Sequence, residues 1–401
     1  MVALRYPDRL CEIDLHVTLA SSILTSIVEV TQKQCQALES IRITVESPTG
    51  PSIQVHSAFL SGSAPHLREI KLDGISFPFP SIRQVLLSTN NLVELHLANI
   101  PSYAYFSPNE LITGLSTLRQ LKRVTVDFHS LPSPLPSMTC PLARRTTLNS
   151  LNSLNFHGTS EYLEKFVALI DVPVICKFAI RFFNDILFEI PQFSQIILRL
   201  NALRSIAWAI VKHSVDSVGV YLGEEEHSRG DCFLGTSCRQ LDWQLSFVTQ
   251  ILSQISTLLS RVHSLDIQSD HELPTGEEDV DSSEWLELFQ LFTHVTQVSV
   301  SEKLVPSIVP ALVAEDMTAE VLPELTLLHL GGYRRFASVA KAAEQFVIAR
   351  LFSGRNVSLT SSDEVRRFLL PYYHAGQLNG LPGSVTSVSP LSRMNICAQR
   401  L

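Results

Sequence analysis

One apolar phrase occurs twice within residues 64–101, and it strongly limits what this chain can fold into. The phrase has the spacing L-x-x-L-x-L, and its two copies are Leu67, Ile70 and Leu72, and Leu92, Leu95 and Leu97. Between them, residues 81–88 carry apolar side chains three and four positions apart, which indicates one face of a helix. A unit of strand, turn and helix cannot bury its apolar face alone, so the pattern predicts a stack of such units.

The same phrase recurs along most of the chain. The further copies are Leu10/Ile13/Leu15, Leu38/Ile41/Ile43, Leu121/Val124/Val126, Leu151/Leu154/Phe156, Ile175/Phe178/Ile180, Leu203/Ile206/Trp208, Val262/Leu265/Ile267, Val295/Val298/Val300 and Leu325/Leu328/Leu330. Successive middle residues lie about 24–33 positions apart, apart from one step of about 59. This spacing is typical of leucine-rich repeats. We therefore predict an α/β fold, a leucine-rich-repeat solenoid of irregular repeats with a curved, mostly parallel sheet and helices on its outer face.

The long step and the C-terminal composition define the predicted domains. Val218/Val220/Leu222 and Leu241/Trp243/Leu245 alternate with other residues, so we predict two inserted strands and an acidic loop within about residues 210–245. An amphipathic pattern over 339–352 predicts a helix that caps the stack. Beyond it Gly, Ser and Pro become more frequent. We expect a solenoid over residues 1–352 and a weakly ordered tail over 353–401.

Composition narrows the class of partner and the compartment. The net charge of −8 and the pI near 5.9 do not favour nucleic acid or an anionic membrane as a partner. No secretory signal pattern and no long uncharged apolar run is found. The 7 cysteines are odd in number and form no C-x-x-C pair, which is typical of reduced thiols. We therefore expect a cytoplasmic or nuclear protein.

The motifs of the common enzyme and cofactor sites are missing from the sequence. It contains no phosphate-binding G-x-x-x-x-G-K-[ST] loop, no H-E-x-x-H and no G-x-S-x-G. His227, Cys232 and Cys238 lie close in sequence, but their spacing matches no structural zinc pattern, and we interpret them as ordinary loop residues. We predict no catalytic residues, no metal and no cofactor.

What remains is the surface of the predicted sheet. In L-x-x-L-x-L the residues beside and between the last two apolar positions point away from the core. The predicted partner-binding strip consists of these outward residues: Glu12, Asp14, His16, Arg42, Glu69, Lys71, Asp73, Glu94, His96, Arg123, Asp127, Asn155, His157, Lys177 and Arg181. Exposed strand residues are polar in any case, but the charges become sparse after Arg181. The later units present Ala179, Ala207 and Ala209, and then Asp266, Gln268 and Ser299. We expect the strip to bind a protein that the sequence does not identify.

Several segments resemble the F-box/leucine-rich-repeat proteins that are expanded in mushroom-forming fungi. The segments are DRLCEIDLHV, ALESIRI, SGSAPHLREIKLDGISFP, LLSTNNLVELHLANIP, SPNELITGLSTL, SEYLEKFVALID, QLDWQLS and VLPELTLLHL. The resemblance covers about residues 5–355, the repeat region, and the F-box itself is not found in this chain. It implies that the repeats recruit a protein for ubiquitination. It implies the Skp adaptor of a cullin-RING ligase as a partner only if an F-box exists outside this chain.

Three functions are compatible with these observations. The first is the substrate-recognition region of an F-box-type ubiquitin-ligase receptor. The second is a stand-alone leucine-rich-repeat scaffold or decoy with no ligase role. The third is an enzyme that uses the 210–245 insert, which is disfavoured because no nucleophile, base or metal set converges there. We therefore predict a non-enzymatic protein-binding solenoid.

Overall fold

The computed structural model of the chain describes residues 9–18, 32–46, 53–54, 59–76, 78–129, 145–183, 189–200, 205–224, 232–238, 240–269, 282–313, 321–332, 337–361 and 394–398. Two compact units are present, which we call unit 1 (Met1–Phe183 with Val388–Leu401) and unit 2 (Asn184–Ser387). A single solenoid over residues 1–352 therefore stays a prediction.

The fold is of the mixed α/β class. The strands are β1 (Leu10–Thr18), β2 (Ser40–Glu46), β3 (Ile53–Gln54), β4 (Glu69–Asp73), β5 (Ile75–Ser76), β6 (Glu94–Ile100), β7 (Arg123–Phe128), β8 (Thr146–Thr147), β9 (Ser153–Gly158), β10 (Ile170–Asp171), β11 (Lys177–Phe182), β12 (Trp208–His213), β13 (Ser217–Gly223), β14 (Cys232–Ser237), β15 (Ser264–Ser269), β16 (Gln297–Val300), β17 (Leu327–Leu330), β18 (Ser358–Ser361) and β19 (Met394–Ala398). The helices are α1 (Phe79–Ser88), α2 (Pro108–Leu115), α3 (Ser160–Ala168), α4 (Pro191–Arg199), α5 (Leu241–Ser253), α6 (Ser256–Leu259), α7 (Ser282–Gln290), α8 (Val305–Val313) and α9 (Ala337–Phe352).

The sheet of unit 1 has the order β11-β9-β7-β6-β4-β2-β1-β19. Every neighbouring pair from β1 to β11 is parallel, and β19 is antiparallel to β1. The register aligns the middle apolar residues of seven successive phrases, namely Ile13, Ile41, Ile70, Leu95, Val124, Leu154 and Phe178. All seven are buried. For these phrases the prediction of neighbouring parallel strands is confirmed.

Period-two alternation explains why the phrases of unit 1 form strands. In β4, Ile70 and Leu72 are buried while Glu69, Lys71 and Asp73 are partly exposed. Such a strand buries one face against the layer of helices and keeps its other face in water. The helices between the strands also bury one apolar side. Helix α2, for example, begins with a capping box between Ser107 and Glu110 and buries its apolar side.

The sheet of unit 2 has the order β18-β17-β16-β15-β12-β13-β14. The pairs β12-β15, β15-β16, β16-β17 and β17-β18 are parallel. On the other side of β12, β13 and β14 add an antiparallel hairpin. The phrases Val262/Leu265/Ile267, Val295/Val298/Val300 and Leu325/Leu328/Leu330 align as predicted and are buried. Since β12 has β15 on one side and β13 on the other, the phrase before β12 is not its neighbour. The prediction that all eleven phrases form neighbouring strands is wrong at this point.

The phrase predicted as Leu203/Ile206/Trp208 is also wrong in its frame. Ala209 pairs with Leu265 and Val211 pairs with Ile267, so the core-facing set is Ile206, Ala209 and Val211. Ala209, which we predicted to face outward, is fully buried. The run Ile-Ala-Trp-Ala-Ile-Val is apolar at every position, so alternation could not indicate which residues face the core.

The inserted region contains two strands, but only one is where the sequence predicted it. β13 contains Val218, Val220 and Leu222 as predicted, whereas the second strand is β14 and residues 241–253 form helix α5. In α5, Leu241, Leu245 and Val248 are buried at helical spacing, and Trp243 is 42% exposed. A short apolar run fits both periods, and here the helical one continues beyond Leu245. Most of the predicted acidic loop lies outside the described residues.

Two short strands lie within the range of the predicted C-terminal tail, whose weak order stays a prediction. Ser358–Ser361 forms β18 beside β17, and Met394–Ala398 forms β19 beside β1, although both fall within the range expected to be weakly ordered. Neither strand carries the L-x-x-L-x-L phrase from which the other strands were predicted. Residues 362–393 lie outside the described part of the chain. The predicted C-terminal helix is present as α9, and its apolar residue Leu351 is 60% exposed.

Candidate functional site

The fifteen predicted strip residues all lie in strands of unit 1 and on the side opposite the buried phrase residues. We call the surface that they form the polar face. Each of them is partly or fully exposed, and each lies between or beside buried positions of its strand. The structure thus brings the predicted residues together on one surface.

Strand register arranges the polar face in rows. One row contains Glu12, Ser40, Glu69, Glu94, Arg123, Ser153 and Lys177, and the next contains Asp14, Arg42, Lys71, His96, Thr125, Asn155 and Ala179. Asp127, His157 and Arg181 form a third row, and His16, Thr44 and Asp73 form the corresponding row on β1, β2 and β4. Neighbours along a row are about 5 Å apart, so their charges interact directly.

Arg42 is the centre of a four-residue charge cluster on β1, β2 and β4. Its Nη1 donates to Glu12 Oε1 at 2.9 Å and lies 3.6 Å from Asp14 Oδ2, while its Nε donates to Glu69 Oε1 at 2.6 Å. Its Nη2 donates to the other oxygen of Glu69, which makes that pair bidentate. The hydrogen bonds from Arg42 lower the pKa of Glu69, and they outweigh the opposite effect of its partial burial. The acids of the first strands are therefore largely engaged within the face.

Two further pairs join neighbouring strands farther along the face. Arg123 on β7 forms an ion pair with Glu94 on β6. His157 on β9 contacts Asp127 on β7 through Nδ1 at 2.8 Å, and its ring packs at 4.9 Å between centroids on Phe183. Each pair spans two adjacent strands, so the polar side chains are held in fixed positions along the sheet.

The centre of the polar face contains a histidine, His96, whose pKa is lowered from its ordinary value. Burial, together with the positive charge of Lys71, lowers the pKa of His96 despite nearby Asp73, Glu94 and Asp127. Lys71 itself forms no ion pair or hydrogen bond with any residue that the structure describes, and the same is true of Lys177. Lys71 and Lys177 are therefore two cations of the face without an ion pair in the described part of the chain.

Charge is distributed unevenly along the polar face. Strands β1 to β6 contribute the carboxylates of Glu12, Asp14, Glu69, Asp73 and Glu94 against the cations Arg42 and Lys71. Strands β7 to β11 contribute Asp127 against Arg123, Lys177 and Arg181. The face is thus acidic towards β1 and basic towards β11, which gives it an electrostatic direction along the sheet.

The corresponding side of the unit 2 sheet carries apolar residues that the sequence analysis missed. Ile210, Tyr221 and Phe233 stand side by side on β12, β13 and β14, and we call them the apolar face. The rings of Tyr221 and Phe233 lie 4.7 Å apart between centroids. Gly219 and Gly235 are opposite each other beneath Phe233, and a Cβ at Gly219 would lie 2.4 Å from its ring. The glycines in the inserted region were the available signal, because they let an aromatic ring lie across the sheet.

The inserted region also contains a fully buried polar network. His213 Nδ1 lies 3.0 Å from Gln244 Oε1, and Gln244 Nε2 donates to the carbonyls of Ser214 and Cys238. Burial lowers the pKa of His213 to about 4, against the effect of its bond to Gln244. Burial likewise raises the pKa of the Cys238 thiol. The neutral network joins the end of β12 and the end of β14 to helix α5.

Two other kinds of site are missing from the described part of the chain. No group of three or more His, Cys, Asp or Glu side chains is placed to hold a metal ion there. None of the described helices has the length and apolar content needed to cross a membrane. His227, one of the three residues weighed as metal ligands from the sequence, lies outside the described residues.

Comparison with known proteins does not add a family. No protein-family model matches the sequence, and no curated protein matches it.

Proposed function

We propose that this chain is a leucine-rich-repeat solenoid that binds another protein through the polar face of unit 1. The observation that carries the proposal is the register of seven parallel phrase strands, which aligns fifteen outward polar residues on one surface. Stacked repeats generate extended surfaces of this kind, and repeat proteins use them for binding. Neither a cofactor nor a catalytic step is part of the proposal.

The charges of the polar face favour a protein as the partner. The face has six carboxylates and five cations, whereas a nucleic-acid surface needs an excess of positive charge. Lys71 and Lys177 have no ion pair among the described residues, so both suit carboxylates of a partner. The acidic and basic halves of the face favour one docking orientation over its reverse, because like charges then avoid each other.

We propose further that the bound protein is a ubiquitination substrate, on the ground of the resemblance to F-box/leucine-rich-repeat proteins. A stand-alone scaffold or decoy is the competing proposal. The two proposals are separated in cells that make the protein, by following a partner that binds through the polar face. A partner that is ubiquitinated, and that becomes longer-lived when the protein is removed, supports the receptor. A bound partner whose ubiquitination and lifetime stay unchanged supports the scaffold or decoy.

The proposed location is the cytoplasm or nucleus, where cysteines stay reduced. The thiols of Cys176 and Cys238 donate to the backbone carbonyls of Asn152 and Gln240. A thiol that donates a hydrogen bond is reduced and is not part of a disulfide. Reduced thiols agree with a compartment in which disulfides do not form.

The experiment for the polar face removes the two cations that form no ion pair in the described structure. The test variant is Lys71→Ser with Lys177→Ser, and the matched control is Lys165→Ser with Arg119→Ser, which removes the same charge away from the polar face. We expect the test variant to capture less partner from lysate than the wild type. The loss should be largest at low salt, where screening is weakest. Unchanged capture by the test variant, or an equal loss in the control, contradicts the proposal.

A further inference from the structure

β19 differs from the other strands of the unit 1 sheet in direction and in origin. It runs antiparallel to β1, whereas β1 and β2 and the following pairs are parallel. It comes from the C-terminal part of the chain, beyond residues 362–393, which the structure does not describe.

β19 covers only part of the outer edge of β1. Leu10 to Leu15 have partners in β19, whereas the pairing of β1 with β2 continues to Thr18. The ladder is also irregular, because its register shifts between Leu10 and Glu12. As the last strand in the order, β19 has β1 as its one neighbour among the described strands. A short strand with one neighbour belongs to the part of a sheet that opens most readily.

The side chains of β1 alternate between the two sides of the sheet. Ile13 and Leu15 are buried, whereas Asp14 between them belongs to the polar face. In the register, the positions opposite Ile13, Asp14 and Leu15 are 396, 395 and 394 of β19. An extended segment that pairs with this edge therefore needs apolar residues at alternate positions, opposite Ile13 and Leu15.

We propose that the outer edge of β1 is a strand-acceptor site for an extended segment of a partner protein, and that β19 occupies this site in the unbound chain. The partner segment runs antiparallel to β1 and has apolar residues at alternate positions, opposite Ile13 and Leu15. Backbone hydrogen bonds give affinity in this mode of recognition, and the alternate side chains give specificity. The pairing of β1 with β19 ends at Leu15. A partner segment that continues to Val17 makes more backbone hydrogen bonds to β1 than β19 does.

The first test uses the full chain and a fluorescent peptide, Arg-Met-Asn-Ile-Ser-Ala-Gln-Arg, which copies residues 393–400 with serine in place of Cys397. Ile396→Pro in the chain weakens its own β19, because the proline ring holds φ near −65°, away from the value of about −140° typical of antiparallel strands. We expect the peptide to bind this variant. It should bind the wild type about tenfold or more weakly, because β19 occupies most of the sites in the wild-type chain. A peptide with proline in place of isoleucine is the control and should not bind. Equal binding to both chains, or none to a folded I396P variant, overturns the proposal.

A second variant keeps the test decisive without weakening any strand. Glu12 and Cys397 are paired positions, and paired Cα atoms lie about 4.5–5.5 Å apart, within reach of a disulfide. In Glu12→Cys, oxidation should lock β19 in place and abolish peptide binding, and reduction should restore it. E12C combined with Cys397→Ser is the control and should not respond to oxidation. Peptide binding to E12C that oxidation leaves unchanged overturns the proposal. Sedimentation of the wild type gives a second check, because a dimer formed by exchange of β19 between two chains overturns it too.

Discussion

The outward side of the sheet is polar in unit 1 and partly apolar in unit 2, although the phrase strands follow the same register in both. In unit 1 the outward positions of β2 and β4 hold Arg42, Glu69 and Lys71. In unit 2 the outward positions of β12 and β13 hold Ile210 and Tyr221. The core-facing positions of both units are uniformly apolar and buried.

The two sides of the strands therefore have different requirements for their side chains. The core side must supply apolar residues at fixed positions, because an unpaired charge there has no compensating water. The outward side keeps the same backbone with either charges or aromatic rings. Substitutions on the two sides should therefore differ in kind, and the comparison can be tested by pairs of variants.

The largest expected effect is a charge on the core side of either unit. Leu95 lies between Ile70 and Val124 in the register and is fully buried, so Leu95→Asp should cost about 4 kcal/mol or more. Val298→Asp should do the same in unit 2, where Val298 is 1% exposed. Urea unfolding followed by circular dichroism measures both losses.

The matched control for Leu95→Asp is its neighbour His96→Asp, which introduces the same side chain on the polar face. It should cost clearly less than Leu95→Asp, because the side chain lies on the polar face, is only partly buried and has the ammonium group of Lys71 nearby. Similar losses in the two variants would show that the two sides of β6 are not distinct.

The next effect is the pH dependence of unit 2. Burial lowers the pKa of His213 in the folded protein to about 4, while the unfolded chain binds a proton near pH 6.5. Stability is therefore complete above about pH 6.5 and falls as the pH approaches 4, because protons then favour the unfolded state. The loss should reach about 3 kcal/mol, from the difference between the two pKa values.

The measurement is urea unfolding of the wild type and of His213→Gln between pH 7 and pH 4. The variant loses the titrating group, so its stability should fall less steeply over this range, whatever its stability at pH 7. Parallel pH profiles for the two proteins would assign the pH dependence to other groups.

A smaller and opposite effect is expected at Tyr162 in the core of unit 1. Its ring packs on Phe128 and Phe156, and its hydroxyl is buried with no hydrogen-bond partner among the described residues. Tyr162→Phe should raise the free energy of unfolding by about 1 kcal/mol, because it removes a buried hydroxyl group whose hydrogen bonds to water are lost on folding. Tyr221→Phe on the partly exposed apolar face is the control and should change little. A destabilised Y162F variant would contradict this account of the hydroxyl.

The smallest effect on folding is expected at the centre of the polar-face charge cluster. Arg42→Ser removes the pairs with Glu12 and Glu69, but all three side chains are partly exposed. Such pairs contribute about 0–1 kcal/mol each, and less in concentrated salt. Unfolding measured at low and high salt should show a loss that shrinks as salt is added. A salt-independent loss comparable to that of L95D would make Arg42 part of the core scaffold.

The strand positions and the composition of the polar face could be predicted because charge and apolarity alternate in unit 1. A strand such as Glu69–Asp73 has one possible frame, since the other frame would bury charge. The run at β12 has no polar residue to exclude the wrong frame, so the prediction was displaced there. The apolar face was missed for the same reason, because outward apolar residues look like core residues in a sequence.

The engagement of charges within the polar face could not be predicted from the sequence. Arg42 and its acidic partners Glu12 and Glu69 are about 30 residues apart, and only the register of three strands brings them together. The same holds for Asp127 and His157. Which cations stay unengaged therefore depends on tertiary geometry, although each candidate residue is visible in the sequence.

The inserted hairpin of unit 2 has a consequence for how this sheet can grow. β13 reverses the direction of β12, and β14 reverses it again, so β14 runs the same way as β12. The chain therefore leaves β14 at the same end of the sheet at which it leaves β12, and helix α5 follows before β15, which pairs with β12 in parallel. The hairpin thus adds two strands to this sheet and still leaves a helical connection to the next parallel strand.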